Sequence, residues 1–376
     1  MTVFYCDGFE TIGTSGSAGA DIETRLNATD KCTKLEISGG FTNPLALIAD
    51  FDAVGLALQF DTIDASRGEY IRVEYPDGTD RFPDYKVSTN ASVPVFVTGF
   101  RLYNAAQSPS QNVTIWRCLQ GSGSVMSNLR IDSGGTGLTF TPMTGAATSA
   151  TSILTTNTWH YIEIEYKPTS SANGGYAKVY VDGVLQIDAA SSSVASATFY
   201  TTYGVDIGVF AASNEVGGAK YAIDDTYHMS IDGIDDTAVL GPCRVLLLSP
   251  TSDATPNDWT PSTGADNYAL IDEQNWGTAD YFDATVTADD EHYGMTTLSS
   301  AITVHGLQVD VVCTAVDGTP SLHIGFDDGG TADEEDMGVI ATGSTVQKRM
   351  MFETAPATDW DQSEVNANSV TQRMTE

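Results

Sequence analysis

Few residues in this chain have the types and spacing to do chemistry. The pair that comes nearest is Glu163-Ile164-Glu165, inside WHYIEIEY at Trp159–Tyr166. Side chains two apart on a strand point to the same face. Two carboxylates on one face are the minimal equipment for acid–base cleavage of a glycosidic bond. An outward strand face is normally wet, so both glutamates are expected to be solvated, and no hydrolase is expected at this pair.

Other catalytic patterns are missing. There is no GxSxG nucleophile turn, and no cysteine stands in a recognisable Cys/His motif. The histidines His160, His228, His292, His305 and His323 are scattered, with no HxH or HExxH among them. The reading is therefore of a non-enzyme with no catalytic residue and no cofactor-binding residue. Acidic clusters are the one opening for a cation. Asp224, Asp225, Asp232, Asp235 and Asp236 form one, and Asp327, Asp328, Asp333 and Asp336 form another. Neither has the fixed ligand spacing of an EF-hand. Charged loops are expected, no cofactor is expected, and calcium (Ca2+) at Asp224 and Asp225 stays open. Tyr200, Tyr203, Trp259 and Trp276 lie in or near loops, where they could stack on sugar rings. Core or interface roles are the expectation for them.

Composition bounds the partners. The chain has 376 residues with 17 basic and 50 acidic side chains, a net charge of −33. That charge excludes nucleic-acid binding, which needs a basic face, and docking on anionic lipid. No run of ~18 apolar residues is present, so no membrane insertion is expected. The opening MTVFYCDGFE has neither a basic nor an apolar stretch of the kind a secretory signal needs. Synthesis in a host cytoplasm without a signal peptide is expected. The cysteines Cys6, Cys32, Cys118, Cys243 and Cys313 are odd in number, widely spaced and free of CxxC. A zinc site is excluded on spacing. Free thiols in a reducing cytosol are expected, with a Cys6–Cys32 bridge left open.

The elements that position these residues read as strands. Gly, Thr, Ser and Asp are abundant and helix formers scarce, which favours short strands and tight turns. In WHYIEIEY, His160, Ile162, Ile164 and Tyr166 fall on one face, expected inward, and Trp159, Tyr161, Glu163 and Glu165 on the other. KVYVDGVLQID follows, with Asp182-Gly183 between alternating apolar residues, a β-hairpin with a two-residue turn. Leu45–Phe51, Ala57–Asp61, Tyr70–Tyr75, Val95–Leu102, Val113–Leu119, Ser127–Ile131, YGVDIGVF and KYAIDDTYHMS also read as strands. In the second part CRVLLLSP reads as a buried strand, TSDATPNDWTPSTGADNY as a surface loop and DDGGTADEED as an acidic loop. Thr303–Val312, Thr319–Phe326 and Lys348–Phe352 read as strands, and Asn366–Glu376 as a short helix. Residues 1–240 carry 27 acidic and 13 basic residues, and residues 241–376 carry 23 and 4. The shift places a boundary near Gly241, giving domains 1–238 and 239–376.

FYCDGFET, TNTWHYIEIEYK, KVYVDGVLQID and YAIDDTYHMS, in this order, resemble concanavalin A-like lectin/glucanase (laminin-G-like) domains over residues 3–236. The form found in tailed-bacteriophage virion proteins is the nearest in kind. PCRVLLLSPTSDATPNDWTPSTGADNYALIDE is similar to a module that follows such sandwiches in phage structural proteins, through Arg244–Leu247, Trp259–Gly264 and Asn267–Glu273. The resemblance implies an all-β chain: an N-terminal concanavalin A-like jelly-roll β-sandwich, then a second, smaller β-sandwich. It implies a non-enzymatic virion structural protein on the capsid exterior or tail, a decoration, fibre or appendage that forms a homo-oligomer with other virion proteins as partners. Alternatives are a host-surface glycan-binding adhesin at the tail tip and a polysaccharide hydrolase. Glucanases of this fold carry an E-x-D-x-x-E-like strand, whose central Asp and third carboxylate are missing at Glu163-Ile164-Glu165. Laminin-G-like sandwiches often bind Ca2+ at a sheet rim, which is what draws attention to Asp224 and Asp225.

Overall fold

A computed structural model describes residues 2–7, 33–37, 46–49, 56–61, 68–74, 95–104, 112–120, 125–195, 202–211, 220–231, 239–264, 266–271, 281–284, 289–299, 302–328, 332–343, 345–352 and 360–375. The chain is nearly all β and divides into two compact units, the first running to Val245 and the second taking in Leu246–Glu376.

The first unit holds β1 (Thr2–Asp7), β2 (Thr33–Ile37), β3 (Ala46–Ala49), β4 (Leu56–Asp61), β5 (Gly68–Glu74), β6 (Val95–Asn104), β7 (Val113–Gln120) and β8 (Val125–Ile131). It continues with β9 (Leu138–Thr141), β10 (Thr148–Ala150), β11 (Thr158–Lys167), β12 (Tyr176–Val181), β13 (Val184–Ala189), β14 (Thr202–Ala211) and β15 (Lys220–Ile231). One sheet has the order β13-β12-β11-β6-β15-β4-β3, with β1 also pairing β15. The other has the order β10-β9-β8-β7-β14-β5-β2. The strands are rich in β-branched and aromatic residues, and central ones such as β6 and β11 are buried on both faces over most of their length. Phe100, Leu102, Ile162, Ile164 and Tyr166 of the first sheet share one core with Trp116, Leu129, Ile131, Val205 and Ile207 of the second. Trp116 and Tyr166 meet edge-on at 5.0 Å between centroids, joining the two sheets. Two antiparallel sheets closed face to face in this order make a jelly-roll β-sandwich.

The hairpin forms as its sequence requires. Asp182 (φ 51) and Gly183 (φ 78) both take left-handed backbone, and Val181 pairs Val184 across the turn. Asp182 also clamps the neighbouring strand. Its Oδ1 accepts from the Tyr161 amide at 2.8 Å, and its Oδ2 lies 2.8 Å from His160 Nδ1. His160 Nε2 accepts from the Thr155 amide at 2.8 Å, so Nδ1 is the protonated nitrogen that donates to Asp182.

The second unit holds β16 (Pro250–Asn257), β17 (Thr260–Pro261), β18 (Phe282–Asp283), β19 (Asp290–Met295), β20 (Leu307–Thr314), β21 (Ser321–Asp327), β22 (Ala332–Val339), β23 (Thr345–Phe352) and β24 (Ser369–Thr375). A sheet of order β16-β19-β24-β21-β22 packs against the β20–β23 pair. Phe326 meets Phe352 and Trp360 edge-on at 4.9 and 5.0 Å in the core between them.

Four expectations for this unit are corrected. The CRVLLLSP segment is not the strand expected: residues 243–249 precede β16 without joining a ladder, only Pro250 falls within it, and Leu246 is exposed. The strand continues instead through TSDATPN, read above as loop, which pairs β19 at the sheet edge, where a proline costs no ladder hydrogen bond. The second half of the acidic DDGGTADEED stretch, from Ala332, is in β22, also an edge strand, where Asp333, Glu335 and Asp336 stay exposed and Glu334 pairs with Arg373. The helix of the tail lies at Gln362–Ala367, capped by Asp361, whose side chain accepts from the Glu364 amide at 2.9 Å. The tail itself is β24, flanked by β19 and β21. Among the described residues no helix is long and apolar enough to cross a membrane.

Candidate functional site

The face of the first sheet turned away from the core gathers the polar residues of four strands. Pairing places Tyr161 opposite Arg101, Glu163 opposite Gly99 and Tyr180, and Glu165 opposite Val97 and Lys178. On the other side of β6, Asp224 stands opposite Arg101 and Tyr227 opposite Gly99. A bulge between Asp224 and Tyr227, with Asp225 in left-handed backbone at φ 46, turns the Asp225 carboxylate onto Arg101. The expectation of solvated glutamates is overturned. Glu163 is 0% and Glu165 2% exposed.

Both carboxylates are held by tyrosines. Tyr227 donates its hydroxyl to Glu163 Oε1 at 2.6 Å. Glu165 Oε1 accepts from the Tyr176 hydroxyl at 2.6 Å, and Oε2 from the Tyr180 hydroxyl at 3.2 Å. Lys178 Nζ reaches both oxygens, at 3.2 and 3.4 Å. The Arg101 guanidinium lies 5.3 Å from the centre of the Tyr161 ring, a cation–π distance.

Residues 239–245 run across this face as a strap. The Gly241 amide donates to Glu163 Oε1 at 3.0 Å, and the Val245 amide donates to Asp225 Oδ1 at 2.8 Å. Between them Arg101 donates from its terminal nitrogen to the Cys243 carbonyl at 3.2 Å. The strap is extended and alternating: Pro242 and Arg244 are exposed, whereas Gly241, Cys243 and Val245 are half-buried.

Burial dominates the protonation of these groups. The Glu163 carboxyl titrates above the usual range because it is desolvated, against the opposing hydrogen bonds from Tyr227 and the strap amides. Asp225 is raised for the same first reason, offset by the Val245 amide and Arg101. Tyr161 and Tyr227 are pushed well above their ordinary value, so both hydroxyls stay protonated. Burial lifts the Cys243 thiol to about 11. The arrangement is a protonatable carboxyl hydrogen-bonded to a tyrosine, beside a second carboxylate and an arginine. It can give or take a proton and offers rings for stacking.

Of the calcium candidates, Asp225 spends its two oxygens on Arg101 and Val245, and Asp224 Oδ1 accepts from the Asp225 amide at 2.7 Å. Asp232, Asp235 and Asp236 lie outside the described residues. In the other cluster Asp336 Oδ1 accepts from the Gly338 amide at 2.7 Å, and Asp327 stands 3.5 Å from His292. Among the described residues no three His, Cys, Asp or Glu side chains are grouped to hold a metal. Trp259 packs on the core of the second unit and donates from Nε1 to the Asp289 carbonyl at 3.0 Å. Tyr200 and Trp276, the Tyr203 side chain and the Cys6–Cys32 pair lie outside the described residues. Sequence reasoning missed Arg101, Tyr227 and the strap. The alternation in KYAIDDTYHMS held a signal for Tyr227, but nothing local tied residues 239–245 to Glu163.

No protein-family model matches the sequence, and neither does any curated protein. Solved structures do match it. An endo-β-1,4-glucuronan lyase from the fungus Trichoderma reesei is 13% identical, with 51% of this chain and 89% of that chain covered and a TM-score of 0.37. The alginate lyase Aly36B is 10% identical, with 59% and 95% covered and a TM-score of 0.39. The alginate lyase AlgAT5, from Polysaccharide Lyase family 7, is 13% identical, with 57% and 100% covered and a TM-score of 0.38. The two sheets of the first unit bear out the expected all-β jelly-roll β-sandwich. The finer expectations are corrected. The non-enzymatic virion role, with its capsid, tail and fibre placements, finds no counterpart here, because these matches are polysaccharide-cleaving enzymes. The expectation that the chain is no enzyme is withdrawn on the same finding.

Proposed function

We propose that the first unit is a polysaccharide-cleaving enzyme that works from the outer face of the β12-β11-β6-β15 sheet. The observation that carries this reading is the Glu163–Tyr227 pair: a fully buried carboxyl, raised above its ordinary value by desolvation, with a hydroxyl 2.6 Å away. A carboxyl tuned in this way is suited to general-acid protonation of a leaving oxygen. Glu165, on the same face of the same strand, supplies the second carboxylate. Tyr176 and Tyr180, both half-buried, supply rings against which a sugar can stack.

Charge selects between hydrolysis and elimination. A β-eliminating enzyme must neutralise the carboxylate of a uronate, and Arg101 is already paired with Asp225. A net charge of −33 also repels polyanionic chains. A neutral glycan cleaved by hydrolysis fits better. The test is to incubate the purified chain with a mixed-linkage β-glucan, alginate and glucuronan, following reducing ends and absorbance at 235 nm. Reducing ends from the neutral polymer without new absorbance, reduced about 100-fold or more by Glu163→Gln, are expected. No cleavage of any polymer, or cleavage untouched by Glu163→Gln, would sink the reading.

A further inference from the structure

The strap occupies the ground a substrate would need. Gly241, Cys243 and Val245 present amide, carbonyl and amide to Glu163, Arg101 and Asp225 in turn. These contacts span five residues of extended chain, roughly 13 Å at ~3.3 Å per residue. A glycan lying on the same face would use its hydroxyls for the same three groups, because a hydroxyl both donates and accepts. The strap and such a ligand cannot be bound together, since the Gly241 amide, the Cys243 carbonyl and the Val245 amide lie against the Glu163, Arg101 and Asp225 groups the ligand would have to reach.

We propose that residues 239–245 are an autoinhibitory strap, an internal stand-in for the polysaccharide that must lift off before the face can accept a chain. The inference rests on the function proposed above. The strap is held by polar contacts of its backbone and of Cys243, not by a buried apolar side chain: Pro242 is exposed, and Gly241 sits in left-handed backbone at φ 79 with nothing within 4 Å of where a Cβ would be.

Two substitutions loosen the strap without altering any group on the sheet. Val245→Pro removes the amide that Asp225 holds, and Gly241→Val makes the left-handed turn costly. Cys243 reports the strap's position, because its thiol is half-buried and raised by burial when the strap is down. The experiment uses the full chain, with circular dichroism to confirm the sheets. Iodoacetamide alkylation of Cys243 is read by peptide mass spectrometry, with buried Cys118 as the internal reference. Binding and cleavage of mixed-linkage β-glucan are measured in parallel. Each variant is expected to raise Cys243 alkylation about tenfold or more and glucan affinity or turnover by a similar factor. Glucan is expected to raise alkylation in the unaltered chain. If alkylation rises in both variants while cleavage stays at the unaltered level, the strap is no inhibitor and the proposed enzyme stands. If neither the unaltered chain nor a chain with its strap open binds or cleaves the polymer, the proposed function fails and the inference falls with it. Two independent variants keep the result readable should one fail to fold.

Discussion

The Tyr227 ring occupies the space where a side chain at Gly99 would lie. A Cβ built on Gly99 would stand 2.0 Å from Tyr227 Cε1 and 2.6 Å from Cζ, and the two residues are direct partners across β6 and β15. The absence of a side chain at 99 is therefore what lets the tyrosine hydroxyl reach Glu163.

Gly99→Ala should displace the ring and break its hydrogen bond to Glu163. A clash of this kind in a packed site costs about 1–3 kcal/mol. Urea unfolding should show the loss, and under the proposed function cleavage should fall with it. An unchanged midpoint would mean that the ring moves aside freely.

Gly183→Val should destabilise the first unit by about 1 kcal/mol or more, because a β-branched residue resists the φ of 78 that the turn requires. Space is not the obstacle, since the nearest heavy atom to a Cβ there is Pro242 Cδ at an ordinary 3.6 Å. A thermal melt identical to that of the unaltered chain would contradict the account of this turn.

His228 should make the fold sensitive to acid. Burial holds its imidazole down at about 3, among Phe96, Tyr166 and the Thr98 hydroxyl 2.9 Å away. In the unfolded chain it titrates near 6.5. Between those values the unfolded chain binds a proton that the folded chain does not, so stability falls as pH drops below about 6.5. Glu163 and Asp225 act in the opposite sense. Their folded values are raised, so the stability they contribute is present at low pH and lost as pH rises through those values. Comparison with His228→Gln isolates the histidine. The stability advantage of the unaltered chain over the variant should shrink by about 2 kcal/mol between pH 7 and pH 5. A constant difference across that range would refute the assignment.

Deleting residues 369–376 should abolish the folding of the second unit, because β24 lies between β19 and β21 and carries Arg373, which pairs with Glu334. Calorimetry should lose the transition of that unit and keep that of the first. Survival of both transitions would mean that the sheet tolerates the loss of an inner strand.

The sequence by itself determined what depends on near neighbours. Period-two alternation marked β11 and its inward residues Ile162, Ile164 and Tyr166, and Asp182-Gly183 determined a turn that needs two left-handed residues. Density of turn formers and scarcity of helix formers determined the all-β class. Tertiary structure decided everything that depends on a distant partner. PTSDATPN and ADEEDMGV are strands because β19 and β21 supply ladders for them at sheet edges, where proline and charge are tolerated. Residues 243–249, CRVLLLS, have the stronger strand composition and no ladder to join. Glu163 and Glu165 alternate outward as read, yet outward on this sheet is not into water. Tyr227, 64 positions on, and Gly241, 78 positions on, close over Glu163. A local pattern specifies which way a side chain points, whereas desolvation depends on what the rest of the chain brings to that face.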